Sequence, residues 1–202
     1  MPFNHNHHYH PLLLRQVPAH AKTALDVGCG TGLFARRLHA AGLSVDAIDA
    51  DPGVIEAARA LGPGDIVFRH EDVREADLPE GHYDFISCLA SLHHVPFGTV
   101  TRLRRALAPG GVLAVLGLAK PRSAPYLAKW LLAAPPLNLA ARLLVATGER
   151  VNGGPDLIPE APVGDWSMTT TELRREAAGL LPGSTMRPLT FWRYLLTYRH
   201  LE

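Results

Sequence analysis

Ten residues near the N-terminus, Thr-Ala-Leu-Asp-Val-Gly-Cys-Gly-Thr-Gly at 23–32, constrain the fold more than any other part of the chain. Residues 23–27 form a short apolar run of the kind buried as a strand. Residues 32–41 repeat apolar side chains at helical spacing, with Leu33, Phe34, Leu38 and Ala41 along one side. Between them stand glycines at 28, 30 and 32, where bare backbone can turn sharply and approach a ligand that a side chain would keep away. The rhythm continues: Gly42 is placed to end the helix in a left-handed conformation, residues 44–49 read as a second strand, and residues 52–61 as a second helix with proline in its first turn. Residues 66–69, 83–89 and 112–118 are further strands, with a helix over 96–108. Strands alternating with helices predict a parallel sheet covered on both faces. In such sheets ligands sit at the carboxyl ends of the strands, so the residues just past each strand are the candidates for chemistry.

After residue 118 the alternation stops. Residues 119–166 are rich in proline, alanine and leucine, with two short helical patterns at 126–133 and 137–147. A segment of that length between strand and helix is expected to be a lid or binding loop. Residues 170–181 resume as a helix, with Thr169 or Thr170 as its N-cap and Glu172 near the first turn. Residues 184–190 and 192–199, aromatic and β-compatible, read as a closing antiparallel strand pair. The expected organisation is one domain over 1–202, with 1–22 as an N-terminal lid or tail and 119–168 as a substrate cap.

Composition excludes several classes. With 47% apolar and 19% charged residues the chain is globular rather than disordered. A net charge of +1, from 20 basic and 19 acidic residues, gives no general attraction to nucleic acid or an anionic membrane. Two cysteines, Cys29 and Cys88, each in an apolar stretch, point to a reducing, cytoplasmic setting. Residues 1–11 lack the pattern of a signal peptide, and the apolar run at 130–141, broken by Pro135-Pro136, is too short to span a bilayer.

The glycine spacing is G-x-G-x-G, with Leu33 in the slot that the dinucleotide fingerprint reserves for glycine. Asp49 ends the second strand, where a carboxylate can accept bonds from both hydroxyls of a ribose. Entry into the following helix is the alternative for Asp49, and is equally open to Asp51. Glu71-Asp72-Val73 follows the third strand and can accept from an exocyclic amine.

In order and spacing, LDVGCGTG (25–32), IDADPGVIEAAR (48–59), Glu71-Asp72-Val73, YDFISCLASLHHV (83–95) and LRRALAPGGVLAVL (103–116) resemble the class I S-adenosylmethionine-dependent methyltransferases, over residues 23–118. The resemblance implies an α/β Rossmann-like sheet of seven mostly parallel strands, the last antiparallel, with an apolar lid inserted after strand 5. It implies S-adenosyl-L-methionine as cofactor and S-adenosyl-L-homocysteine as product. Gly28, Gly30 and Gly32 would line the methionine end, with Asp26 and Cys29 in the same loop. Asp49 would hold the ribose beside Ala50, Asp72 and the backbone of Val73 would hold adenine, and Leu89 and Ala90 would lie beside the sulfonium. The Ala-Pro-Gly-Gly at 108–111 would end a helix and start the fifth strand.

A methyl on a sulfonium is already activated, so orienting the acceptor supplies much of the rate, and a base is needed only for a protonated acceptor. His93 and His94 are the candidates for that role; a packing-and-turn element is the alternative for both. No Asn/Asp-Pro-Pro-Tyr/Phe follows the fourth strand, and no carboxylate lies at 88–91, so neither a nucleic-acid amine methylase nor a metal-assisted catechol type is matched. No metal is expected in the site. His5, His7, His8 and His10 cluster beside Tyr9, as imidazoles able to bind a metal, as a solvated tail, or with Tyr9 and His10 starting a helix through residues 12–15 that folds over the cofactor, with Tyr9 on its carboxylate. Tyr126, Trp130, Leu131, Leu139, Leu143 and Trp166 would anchor the cap over a modest apolar pocket. Lys120, Arg122 and Lys129 form a weak positive group.

The expectation is methylation of an oxygen, nitrogen or carbon of a small molecule, with no nucleic-acid partner, no membrane span and a homodimer left open. The rivals are a tRNA or protein methyltransferase, a non-catalytic cofactor-binding subunit and a nicotinamide oxidoreductase.

Overall fold

A computed structural model describes residues 9–61, 65–118, 168–189 and 193–201. In chain order these form α1 (His10–Leu14), β1 (Thr23–Val27), α2 (Leu33–Ala40), β2 (Ser44–Asp49), α3 (Pro52–Leu61), β3 (Val67–His70) and β4 (Tyr83–Leu89). Two 3-10 turns (Leu92–His94 and Phe97–Thr99) lead to α4 (Val100–Ala106) and β5 (Leu107–Leu118), and then come α5 (Thr170–Leu180), β6 (Thr185–Pro188) and β7 (Arg193–Arg199). The strands form one seven-stranded sheet in the order β3-β2-β1-β4-β5-β7-β6. β1 to β5 run parallel, and β7 lies antiparallel between β5 and β6.

Alternation along each strand divides the core into two layers. Leu25, Val27, Ile48, Ile86, Cys88, Leu113 and Val115 face α4 and α5, where Leu103, Leu173 and Ala177 meet them. Ala24, Ala47, Phe85, Ala114 and Leu116 face the opposite way, against Leu13 of α1, Leu38 of α2 and Ile55 of α3. The side chains that remain for chemistry are therefore those where strands end.

Local signals read from sequence act as physics requires. Gly42 follows α2 with φ 93°, and its N–H and that of Leu43 close onto His39 and Leu38 carbonyls. Thr169 caps α5 in a capping box with Glu172. Two boundaries differ. The helix expected over 96–108 is one tight turn, Phe97–Thr99, and the shorter α4, because Leu107 is drawn into the sheet opposite Tyr83. β5 consequently starts at Leu107 rather than 112, and Ala-Pro-Gly-Gly is a bulge within the strand, between the Tyr83 and Phe85 pairings, rather than a turn before it.

Tyr9 and α1 form the N-terminal helix, with Leu13 fully buried and His10 edge-on to Phe34 at 4.9 Å. His5, His7, His8, the cap anchors and the Lys120, Arg122, Lys129 group lie outside the described residues. Among the described residues no helix is long and apolar enough to cross a membrane.

Candidate active site

The glycine turn after β1 is held by the tip of β2. Gly28 and Cys29 N–H both donate to the Ile48 carbonyl, at 2.8 and 3.1 Å, and Gly32 N–H donates to Cys29 at 2.9 Å. Gly30 N–H donates to Asp49 Oδ2 at 2.8 Å, while Asp51 N–H donates to Asp49 Oδ1 at 3.0 Å. With these four amides committed inside the chain, the turn offers little to a pyrophosphate, which dinucleotide folds bind through free N–H groups at this place. What it offers is open backbone: a Cβ on Gly30 would meet no atom within 4 Å. Gly28 is the opposite case. At φ 68° its α-hydrogen faces Ser91, and a Cβ there would collide with the Ser91 side chain. Cys29 Sγ lies 3.5 Å from the Gly30 carbonyl, and burial raises the thiol's pKa, so it stays protonated.

The carboxylates divide by job. Asp51 Oδ1 accepts from Gly53 and Val54 N–H at 2.7 and 3.3 Å, so Asp51 is the cap of α3. That leaves Asp49 pinned at the cleft with lone pairs still to offer, since an ionised carboxyl accepts about four bonds. Asp26 points inward. Only 2% exposed, it accepts from Ser87 Oγ at 2.7 Å, and the Ala35 amide of α2 favours its charged form. Burial, with a smaller push from Asp49, raises its pKa to about 7.

Beyond β3, Glu71 N–H donates to the Asp49 carbonyl at 3.0 Å, tying the third strand end to the second. Asp72 is gripped by Arg74, with Nε 3.0 Å from both oxygens and Nη2 at 2.6 Å, and this pairing holds Asp72 below the usual carboxylate range. Val73 turns its side chain into the core. A cavity of about 480 Å³ opens here, lined by Ala50, His70, Glu71, Asp72, Glu75, Ala76 and Asp77. It gathers Ala50 and Asp72, the expected adenosine contacts, but not the glycine turn.

The exit of β4 is strained. Leu89 is its last residue, and Ala90 has φ 52°, the one described non-glycine residue with positive φ. Ala90 N–H still pairs with the Leu116 carbonyl at 2.8 Å, so the chain turns abruptly one residue past the strand. Ser91 Oγ then donates to the Val27 carbonyl at 2.7 Å, fastening the turn Leu92–His94 to the end of β1.

The structure separates the two histidines. His94 is exposed, with its ring centroid 4.1 Å from that of His93. His93 is half-buried, and both its ring nitrogens are buried with no hydrogen-bond partner among the described residues. Burial first, then the neighbouring His94 and the charge of Arg193, pull the His93 pKa down to about 4, so its ring is neutral at physiological pH. Arg193 starts β7 opposite Leu118, the last residue of β5, and its charge also reaches Tyr9. Tyr9, 6% exposed, packs in the layer that holds Phe34 and Leu116, with Leu89 against it.

Ser91, Arg74 and Arg193 were not legible as site residues. Ser91 carried one signal, a small side chain directly past an apolar strand. Arg193 carried none, because it reaches the rim only when β7 inserts beside β5.

A family model described as "Methyltransferase domain" matches residues 25–115. An uncharacterized methyltransferase of Mycobacterium tuberculosis is 34% identical over 203 residues, covering 98% of this chain and 97% of that protein. A ubiquinone biosynthesis O-methyltransferase of Sodalis glossinidius is 34% identical over 116 residues, covering 52% of this chain and 47% of that one. Among solved structures, a Pyrococcus horikoshii protein matches with TM-score 0.66 at 19% identity, over 95% of this chain and 87% of its own. The 1,6-didemethyltoxoflavin-N1-methyltransferase of Burkholderia thailandensis, solved with S-adenosylhomocysteine, matches with TM-score 0.62 at 18% identity, over 98% and 78%. With the sheet order, the committed amides of the glycine turn and the Asp49 anchor, these likenesses establish that the chain belongs to the class I S-adenosylmethionine-dependent methyltransferases.

Proposed function

We propose that this enzyme methylates a small molecule held over the carboxyl ends of β4 and β5, with His93 as the side chain that meets the acceptor. One observation carries this: a neutral imidazole with two buried nitrogens that have no partner among the described residues, three residues past the strained Ala90. Buried polar atoms are almost always paired, and the exceptions cluster where a ligand completes them. His94 is solvated and needs no such partner.

The open face at Gly30 and the pinned Asp49 fit an adenosyl sulfonium, which when bound supplies an activated methyl group. On this proposal Gly28, Gly30 and Gly32 line its amino-acid end, with Asp26 and Cys29 supporting the turn from below. Asp49 accepts from the ribose beside Ala50, Asp72 and the Val73 backbone meet adenine, and Leu89 and Ala90 flank the reacting carbon. Asp72 then shares its lone pairs between Arg74 and the purine. Tyr9 closes the site from above through α1. His93 orients the acceptor by one donated and one accepted bond, and orientation of this kind accounts for a large share of a displacement's rate. The ubiquinone and didemethyltoxoflavin methyltransferases, both named for small-molecule acceptors, support the same substrate size.

The test is transfer of labelled methyl from S-adenosylmethionine, by the purified chain, into a fractionated cell extract. Label is expected in the small-molecule fraction. His93→Asn should lower that turnover at least tenfold while homocysteine-product affinity stays within threefold. Label confined to tRNA or protein would reject the proposal, as would full turnover by His93→Asn.

A further inference from the structure

Asp72 has no lone pair to spare. An ionised carboxylate accepts about four hydrogen bonds, two at each oxygen. Oδ1 takes the Arg74 backbone N–H at 2.8 Å and Arg74 Nε at 3.0 Å, while Oδ2 takes the same Nε at 3.0 Å and Nη2 at 2.6 Å. A single residue, two positions along the chain, therefore fills both oxygens.

We propose that Arg74 is a specificity-determining residue for the cofactor: it occupies the Asp72 lone pairs that the purine's 6-amino group needs, so adenine binds by displacing the guanidinium and a 6-oxo purine is only weakly excluded. This rests on the assignment of Asp72 to the adenine amine and adds the side chain that competes for it.

Two observations support an exchange. The first is which partner can yield. The Arg74 side chain is 57% exposed and that of Asp72 25%. Asp72 is also fixed through its backbone, because Glu75 and Ala76 N–H donate to its carbonyl at 2.9 and 2.8 Å. The residue 74 N–H on Oδ1 belongs to the same turn and does not depend on the Arg74 side chain. The guanidinium is thus the group that moves. The second is where it can go: Glu75 and Asp77 line the same cavity, so the released cation stays in a negative field.

The edge of the purine decides the consequence. A 6-amino group donates and a 6-oxo group accepts. Once Arg74 has left, the amine gains a charged acceptor, whereas an oxo group meets a bare carboxylate with no proton between the two oxygens. With Arg74 in place that contrast shrinks. The amine must first open charge-assisted bonds, and the charge that would repel the oxo group is already paired. Exposed ion pairs shift an equilibrium by about fivefold at most, so this one is weak enough for a cofactor to open.

The experiment titrates the full chain by calorimetry with S-adenosylhomocysteine and with S-inosylhomocysteine, its 6-oxo analogue. Arg74→Ala should bind the adenosyl compound more tightly and raise the adenosyl-over-inosyl preference about threefold. Arg74→Met, which keeps the side-chain stem without the donors, should do the same, and thermal unfolding certifies that each variant is folded. In an Asp72→Ala background, which should itself lose preference, Arg74→Ala should leave the ratio unchanged. A preference that does not rise in either Arg74 variant overturns the role of Arg74, and leaves Asp72 on adenine when Asp72→Ala still loses preference. A rise that persists without the Asp72 carboxylate overturns the exchange. Wild-type affinity and preference in Asp72→Ala would overturn the adenine assignment, and the role of Arg74 with it.

Discussion

Gly28→Ala is the substitution whose consequences the structure fixes most tightly. The new methyl must sit on a residue with φ 68° and must displace Ser91, whose Cβ occupies the space. The left-handed conformation costs an L-residue about 1–2 kcal/mol. Crowding a packed contact adds roughly 1–3, and pushing Ser91 off the Val27 carbonyl loses a bond worth about 1. The expected loss is about 3–5 kcal/mol, which for a chain of this size lowers the melting temperature by roughly 6–20 °C. Ser91→Gly alone should cost about 1–2 kcal/mol, from the lost bond and the freer backbone. In Gly28→Ala/Ser91→Gly the collision is gone while the φ strain remains, so the pair should cost about 2–4 kcal/mol, less than the sum of the singles. Urea and thermal unfolding of the four proteins, without cofactor, give the coupling directly. Additivity within about 0.5 kcal/mol would mean that the two residues do not touch and that the glycine turn is not locked to the β4 exit as described.

Asp49→Ala removes a charged acceptor and also frees Gly30 N–H; S-adenosylhomocysteine affinity should fall by about 1.5–3 kcal/mol, roughly 10- to 150-fold, and unchanged calorimetry would refute the ribose assignment. Asp26 has a pKa near 7 in the folded chain against an ordinary 3.8, so the folded state holds the extra proton. Its contribution is complete below about pH 4 and is lost as pH rises to 7, a fall of a few kcal/mol. Asp26→Asn keeps the oxygen that faces Ser87 and should flatten that slope in urea unfolding at pH 5 and 7; an identical slope would show that Asp26 ionises normally. The loss expected for His93→Asn completes the set.

Much of the scaffold was readable along the chain because its determinants are local. A strand's alternation, the Thr169–Glu172 capping box, Gly42 after an amphipathic run and proline at the start of α3 all act within a few residues, and each appears where the pattern put it. The boundaries that moved, at α4 and β5, are those where Leu107 gains more from pairing with Tyr83 than from one further helical turn. Asp49 and Asp51 were ambiguous in sequence because both follow the same strand; their hydrogen bonds separate them into a loop anchor and a helix cap.

The order of residues by itself determined the alternating architecture, the glycine turn and the acidic strand ends, since periodicity and backbone freedom are properties of short segments. Only the tertiary structure decided that Ser91 bolts the β4 exit to β1, and that the ring nitrogens of His93 are buried with no hydrogen-bond partner among the described residues while His94 stays exposed. Those facts depend on strands about sixty and eighty residues apart lying side by side, and no local pattern encodes which distant side chains a sheet will bring together.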